Sequence, residues 1–361
     1  MERIERLALR GSKIFTPAEI DTVEAFSSIS EFLKSETAPM LERKKRRVEQ
    51  MWNADIADRC RKVSGRKDLT IFFPEEEGYP PLLREIDPMP QVLFIKGQAE
   101  WLSSPELKIA CVGSRKPSSY GKYVVQKIIG QLAERRVTIV SGLAYGIDVM
   151  AHLTAIEKGT HTIGVLGFGV DHIYPASNTV AFRKVEEQGC LVSEYLPWQK
   201  PEVYFFPERN RIISGLSQGV LVIEASKTSG SLITVQHALS QNRDVFAIPG
   251  SIQSALSEGT NGLIKKGAKL VTDALDIVEE YPWLVPDTLA SPAAGADSAS
   301  LASEERAVYD LIVEGCDQFD SLAERTRYQA STLNRILTGL SLKGLVTKIG
   351  SQYLPGREGF V

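Results

Sequence analysis

Apolar positions change rhythm twice along this chain, and the changes divide it. Over residues 1–67 they recur at three- and four-residue spacing, which predicts helices. Thr16-Pro17-Ala18-Glu19 reads as a helix start, with Thr as cap, Pro in the first turn and Glu19 completing a capping box. Ser28–Lys34 predicts a short helix. Val48, Met51, Trp52, Ile56 and Cys60 predict a longer one from Leu41 to about Lys62. Its Lys44–Arg47 cluster could touch nucleic acid, but a solvated helix face is the favoured reading. Short extended pieces follow at Thr70–Phe73 and Val92–Ile95, with Pro80-Pro81, Pro88 and Pro90 breaking the pattern between them.

From about residue 105 to 284 the pattern becomes an alternation. Apolar runs at Leu107–Val112, Val137–Val140, His161–Leu166, Cys190–Ser193, Val220–Ile223 and Val245–Ile248 predict strands. Helical stretches at Tyr120–Arg135, Ile147–Glu157, Val180–Gln188 and Ser231–Gln241 lie between several of them. Strand-helix-strand repetition predicts an α/β fold with a doubly wound, Rossmann-like sheet, and places the binding crevice beyond the strands' carboxyl ends. The run Pro286–Ser300 is rich in Pro, Ala, Ser, Gly and Asp and lacks Lys and Arg, which predicts a linker over about 285–302. The four predicted segments are therefore 1–67, 68–284, 285–302 and 303–361.

Composition narrows the class. An apolar fraction of 43% and a charged fraction of 24% in 361 residues fit a folded chain of more than one domain. No apolar run approaches the roughly 20 residues that cross a bilayer, and the first residues do not read as a secretion signal. Cys60, Cys111, Cys190 and Cys316 lie far apart, which disfavours a disulfide framework or zinc site and fits a reducing, cytoplasmic setting. The formal net charge is −3, so a nucleic-acid site would need positive charge gathered locally by the fold.

The strand-end loops carry the candidate chemistry. Gly113-Ser114-Arg115 leaves a strand and enters a helix, offering hydroxyls, free N–H groups and a planar fork suited to an anion. Ser141–Asp148 does the same with small residues. Asp148 and His152 share a helical face, where a hydrogen bond between them is favoured over a metal site. Gly164–Gly169 has the order G-x-x-G-x-G, not the dinucleotide fingerprint. Pro201–Leu216 joins Tyr204, Phe205 and Phe206 to Arg209, Asn210 and Arg211, rings for bases beside forks for phosphates. Small polar residues at Ser226–Thr234 could shape a pocket floor or cap a helix. Glu224 lacks a catalytic partner. No P-loop, G-x-S-x-G elbow or H-E-x-x-H is present, so no enzyme is expected.

The phrases YPPLLREI, VLFIKG, VGSRKPSSYG, VSGLAYGIDVMAH, GVLGFGVDHIYP, SEYLPW, FPERNRIISGLS, VIEASKTSGSLIT and FAIPGSIQSALSEGTNGLI resemble the core of the DNA-processing protein A (DprA/Smf) family over about Tyr79–Tyr281. The resemblance implies an extended Rossmann-like domain that binds single-stranded DNA without cofactor or metal, forms a homodimer and helps load RecA in natural transformation or recombination. It implies phosphate contacts at Ser114, Arg115, Lys200, Arg209, Asn210 and Arg211, stacking at Phe205 or Phe206, and a groove shaped by Gly113, Gly142 and Gly146. It also implies a small helical, sterile-alpha-motif-like N-terminal domain and a C-terminal winged helix. In the latter, Glu304–Glu314, Ser321–Thr326 and Ser331–Lys343 are helices and Leu345–Ile349 with Gln352–Leu354 a wing. In a duplex reader Ser331, Thr332, Asn334 and Arg335 would face the groove. The competing reading is an enzyme or sensor for a nucleotide-sized ligand, as in related phosphoribohydrolases, although Pro249-Gly250-Ser251 and Glu258 do not fall in that pattern.

Overall fold

The computed structural model describes residues 1–285, 301–313, 315–343, 345–349 and 352–355. Two compact units divide at Asp287 and Thr288. The expected linker Pro286–Ser300 lies outside the described residues.

Nine strands make one sheet in the first unit. They are β1 (Thr70–Phe72), β2 (Leu93–Gly97), β3 (Lys108–Val112), β4 (Thr138–Ser141), β5 (Thr162–Val165), β6 (Cys190–Ser193), β7 (Gly219–Val222), β8 (Asp244–Ala247) and β9 (Lys269–Leu270). Their order is β1-β2-β6-β5-β4-β3-β7-β8-β9. From β6 to β9 every neighbouring pair is parallel; β2 joins β6 antiparallel and β1 joins β2 antiparallel. The apolar runs become strands because both faces of the sheet are covered. Ala110 and Val112 of β3 point into one core with Val140, Val165, Val192 and Val222. Ile109 and Cys111 point into the other with Ile139, Leu221 and Phe246. A strand buried on both sides has no polar face to show, hence the unbroken apolar reading.

The chain runs outward from β3 through β4 and β5 to β6, then returns to place β7 on the other side of β3. The sheet therefore reverses between β3 and β7, and the crevice at their carboxyl ends is where such folds bind ligands.

The helical N-terminal segment belongs to this same unit. Leu7, Ala8, Cys60 and Val63 share a core with Phe94, Leu166 and Phe182 of the sheet layer. The expected capping box forms: the Thr16 N–H donates to Glu19 Oε2 at 2.7 Å, opening the helix Pro17–Glu24. Ser28 caps Ile29–Lys34 by accepting from the Glu31 N–H at 3.1 Å. The single long helix expected from Leu41 to Lys62 is two helices, Pro39–Met51 and Ala54–Ser64. Trp52 is extended, and the Asn53 side chain accepts from the Ile56 N–H at 3.0 Å, so Asn53 starts a new helix inside a continuous apolar stripe. Near the end of the unit, Ala274 and Ile277 are fully buried, while Leu270 is 44% exposed at the sheet edge in β9.

The second unit contains helices Ser303–Val313, Phe319–Thr326 and Ala330–Leu342 and a hairpin of β10 (Val346–Ile349) and β11 (Gln352–Pro355). Val308, Leu322, Leu333, Leu337 and Tyr353 form its core. The expected reading residues Ser331, Asn334 and Arg335 are exposed. Arg335 pairs with Glu304 at 3.2 Å. Among the described residues no helix is long and apolar enough to cross a membrane.

Candidate functional site

A cleft of about 390 Å³ opens at the β3/β7 switch point. One wall is the loop after β3, with Gly113, Ser114 and Arg115. A second is the first turns of the helix Phe205–Gly215, with Phe206, Pro207, Arg209 and Asn210. The third is the segment after β7, with Ser226, Ser229, Ser231 and Thr234. Three segments, the first and last of them more than a hundred positions apart, thus meet at one opening.

Arg115 is exposed at the cleft and close enough for its charge to act on Arg209. Ser114 holds the loop in shape: its hydroxyl accepts from the Lys116 N–H at 3.1 Å, and its carbonyl accepts from the Ile147 N–H at 3.1 Å. Ser118 caps the following helix by accepting from the Gly121 N–H at 3.1 Å. Glu224, the carboxylate that lacked a partner in the sequence, is buried and accepts from the Ser118 N–H at 2.9 Å and from its hydroxyl. It ties the β7 end to the β3 loop, each of its oxygens accepting from Ser118.

Two glycines act by bringing loops together. Gly146 has φ +80°, and a Cβ there would lie 2.3 Å from the Ser114 carbonyl oxygen. A Cβ on Gly142 would lie 2.6 Å from the Arg209 guanidinium. Of the three glycines expected to shape the groove, Gly113 lines the cleft; Gly142 and Gly146 support it from behind.

The segment expected to be a loop, Pro201–Leu216, is mostly the helix Phe205–Gly215, and this changes the role of its arginines. Phe205, Arg209, Ile212, Ile213 and Leu216 follow helical spacing and all are buried. Arg209 occupies a core position. Its guanidinium donates to the Gly142 carbonyl at 3.0 Å and to the Val165 carbonyl, closing the ends of β4 and β5. Burial pushes it down to about 10, against the pull of Asp148. It lines the cleft as a positive floor whose hydrogen bonds are largely spent. Arg211 does not line the cleft. Both of its terminal nitrogens bond Glu194 in parallel, at 2.7 and 2.6 Å, and its Nε donates to the Pro88 carbonyl at 3.1 Å. Side chains 5% and 3% exposed make this an internal ion pair. The expected phosphate contact at Arg211 is therefore corrected: a carboxylate inside the protein already fills its fork.

The aromatic residues divide as well. Phe205 is buried against Tyr195, ring centroids 4.2 Å apart, and is a core residue, not a stacking face. Phe206 is half-buried, lines the cleft and stands 5.7 Å from Tyr174, itself 51% exposed. These two rings form a platform beside the opening. Tyr174 follows the glycine-rich end of β5 and was given no role from the sequence; its signal was an aromatic placed just beyond that loop. Lys200 is exposed but lies outside the cleft lining.

Asp148 and His152 are not bonded to each other as expected. Asp148 accepts from the Gly142 N–H at 3.2 Å, and His152 Nδ1 contacts Thr162 Oγ1 at 2.6 Å. The Thr162 hydroxyl donates to the Ile139 carbonyl, so it accepts from Nδ1–H and leaves Nε2 unprotonated. Burial pushes His152 down to about 3. An unfolded His152 takes a proton below about pH 6.5 while the folded one does not, so stability falls as pH falls. Between roughly pH 6.5 and pH 5, above the carboxylate range, this group is expected to cost about 2 kcal/mol. Urea unfolding of the parent and of His152→Gln checks it; equal pH slopes would contradict it. Among the described residues no group of three or more His, Cys, Asp or Glu could hold a metal ion.

The fold and site define a class: a doubly wound α/β protein whose switch-point cleft presents an arginine, hydroxyls and a ring platform. Residues 70–282 match the model of the DNA recombination-mediator protein A family, and residues 292–350 match the DprA winged helix domain. The chain belongs to the DNA recombination-mediator protein A family. It is 47% identical over 208 residues to the DNA processing protein DprA of Streptococcus pneumoniae, covering 58% of this chain and 73% of that one. It is 39% identical over 285 residues to protein Smf of Escherichia coli, covering 78% and 75%. Its fold matches the X-ray structure of the Streptococcus pneumoniae protein with a TM-score of 0.66 at 35% identity, over 78% of this chain and 98% of that one. A structure of DNA processing protein A from Helicobacter pylori, concerned with that protein's single-stranded DNA binding mode, matches with a TM-score of 0.54 at 28% identity, over 60% and 97%.

Proposed function

We propose that the switch-point cleft binds single-stranded DNA with little sequence preference, and that the chain acts as a non-enzymatic mediator that passes the strand to a RecA-type recombinase. In this reading it works as a homodimer in recombination or natural transformation. The carrying observation is Arg115, exposed at the opening that the Phe206 ring and Asn210 also line. Arg115 pairs phosphate with its fork, Ser229 and Ser231 offer hydroxyls from the opposite wall, and the Phe206–Tyr174 platform takes an unpaired base. A stacking ring of this kind tolerates any base, because every base has a π-face. It discriminates against duplex, whose bases are already stacked on one another. The Helicobacter pylori relative supports the choice of ligand. Consumption of Glu224 in a cap supports binding over catalysis.

A gel-shift competition with the whole chain at about 0.15 M salt tests this. Single strands are expected to bind at least about tenfold tighter than duplex of the same length, with a log–log salt slope of about −0.7 per phosphate contacted. Equal affinity for both forms would overturn the reading. Addition of RecA should speed filament growth on strands already bound by this chain; unchanged growth would remove the mediator role and leave the binding role.

A further inference from the structure

The geometry points to a second stretch of the single-strand track, running from the cleft over Lys200 onto the arginine face of the helix Pro39–Met51. It rests on the reading of the cleft as a single-strand site. The basic cluster of that helix is not uniform. Lys44 pairs with Glu19, and Lys45 pairs with Glu42 at 2.8 Å. Arg43, Arg46 and Arg47 are exposed, and among the described residues no carboxylate pairs with them. Two of the five basic side chains hold the helix in place, and three remain for an anion. Glu42, Lys45 and Glu49 share a hollow with Arg43 and Arg46; Glu42 is paired with Lys45, so with Arg47 beside the hollow three arginines face one remaining carboxylate, Glu49.

The position of Arg47 gives the face a direction. Arg47 shares a groove of about 480 Å³ with Trp198 and Gln199. Trp198 is half-buried, packs partly on the core and has the Arg59 guanidinium 5.8 Å from its ring centre, so the part of the indole that lines the groove is a ring already set among cations. The loop carrying it is held firmly: the Gly169 N–H donates to the Gln199 carbonyl at 2.8 Å, and His172 Nε2 contacts the Trp198 carbonyl at 3.0 Å. Lys200 follows at once, exposed, and Phe206 in the cleft is six positions further on. From Gln199 to Phe206 the chain spans at most about 25 Å. Ring and cation therefore occur together twice, Phe206 with Arg115 and Trp198 with Arg47, and the exposed Lys200 lies between Trp198 and Phe206 along the chain. A polynucleotide backbone, with one negative charge per nucleotide, fits a track of spaced cations; a compact anion would need only one of the two places.

The test uses the full chain and two fluorescent oligothymidylates, one of roughly 3 nucleotides, short enough to be held at the cleft alone, and one of roughly 30. The combined Arg43→Gln, Arg46→Gln and Arg47→Gln variant changes exposed helix positions to another good helix former, so the fold is kept. Its affinity for the long strand is expected to fall about tenfold, with a salt slope shallower by about 1.4–2.1, while the short strand binds as before. Trp198→Ala should also weaken only the long strand. Unchanged long-strand affinity in both variants overturns the extended track, and so does an equal loss for both lengths, which would mark a general field effect. Arg115→Ala serves as the control. If it weakens both lengths and the triple variant weakens neither, the cleft stands and the extension fails. If the parent binds neither length, both fail.

Discussion

Arg211→Ala is expected to destabilise the sheet-containing unit by about 3–5 kcal/mol and to affect DNA binding only through that loss. The reason is desolvation. Glu194 is 3% exposed and accepts both arms of the Arg211 fork, with Lys13 adding a contact at 2.8 Å. Burial works against the Glu194 charge, but Arg211 and Lys13 outweigh it and hold the carboxyl below its ordinary range. Removing Arg211 leaves that carboxylate buried with half its compensation. Urea unfolding of parent and variant measures the effect. A stability loss under about 1 kcal/mol, combined with weaker DNA binding, would return Arg211 to the ligand side of the account.

Arg115→Ala is expected to do the opposite. Arg115 is exposed and ends in the cleft, so stability should stay within about 0.5 kcal/mol. Single-strand affinity should fall about tenfold or more, the worth of one charge-assisted contact, and the salt slope should become shallower by about 0.7. Sequence preference should not change, because a phosphate contact carries none. A fluorescence-anisotropy salt titration checks all three; unchanged affinity would remove Arg115 from the site. The contrast between two arginines that look alike in the sequence is the sharpest test of the geometry.

That contrast also shows what the sequence could and could not convey. The parallel strands were legible because a strand covered on both faces leaves an unbroken apolar run, as β3 does. The capping box at Thr16–Glu19 was legible because both halves lie within one turn. The helix Phe205–Gly215 was not, because its composition drew attention away from its period. Phe205, Arg209, Ile212, Ile213 and Leu216 keep helical spacing, and an arginine on an apolar stripe is a sign of a buried guanidinium. Its acceptors, the carbonyls of Gly142 and Val165, lie in other strands and leave no mark on the local pattern. The same holds for Arg211 and Glu194, which only the fold brings face to face. The two helices within 39–64 were fused because the apolar stripe crosses the break that Asn53 makes. For the site, the strand-end rule led to loops that the fold brings to one cleft; which side chains remain free in them depends on partners contributed from elsewhere.

The most direct test of the cleft is photo-crosslinking of the full chain to a single strand carrying bromodeoxyuridine, with the adducts located by mass spectrometry. Adducts at Phe206 and Tyr174, strongly reduced by Arg115→Ala at a strand concentration below saturation, are the predicted result. Adducts confined to residues 303–355, or persisting unchanged in the variant, would contradict the placement of the strand at the switch point.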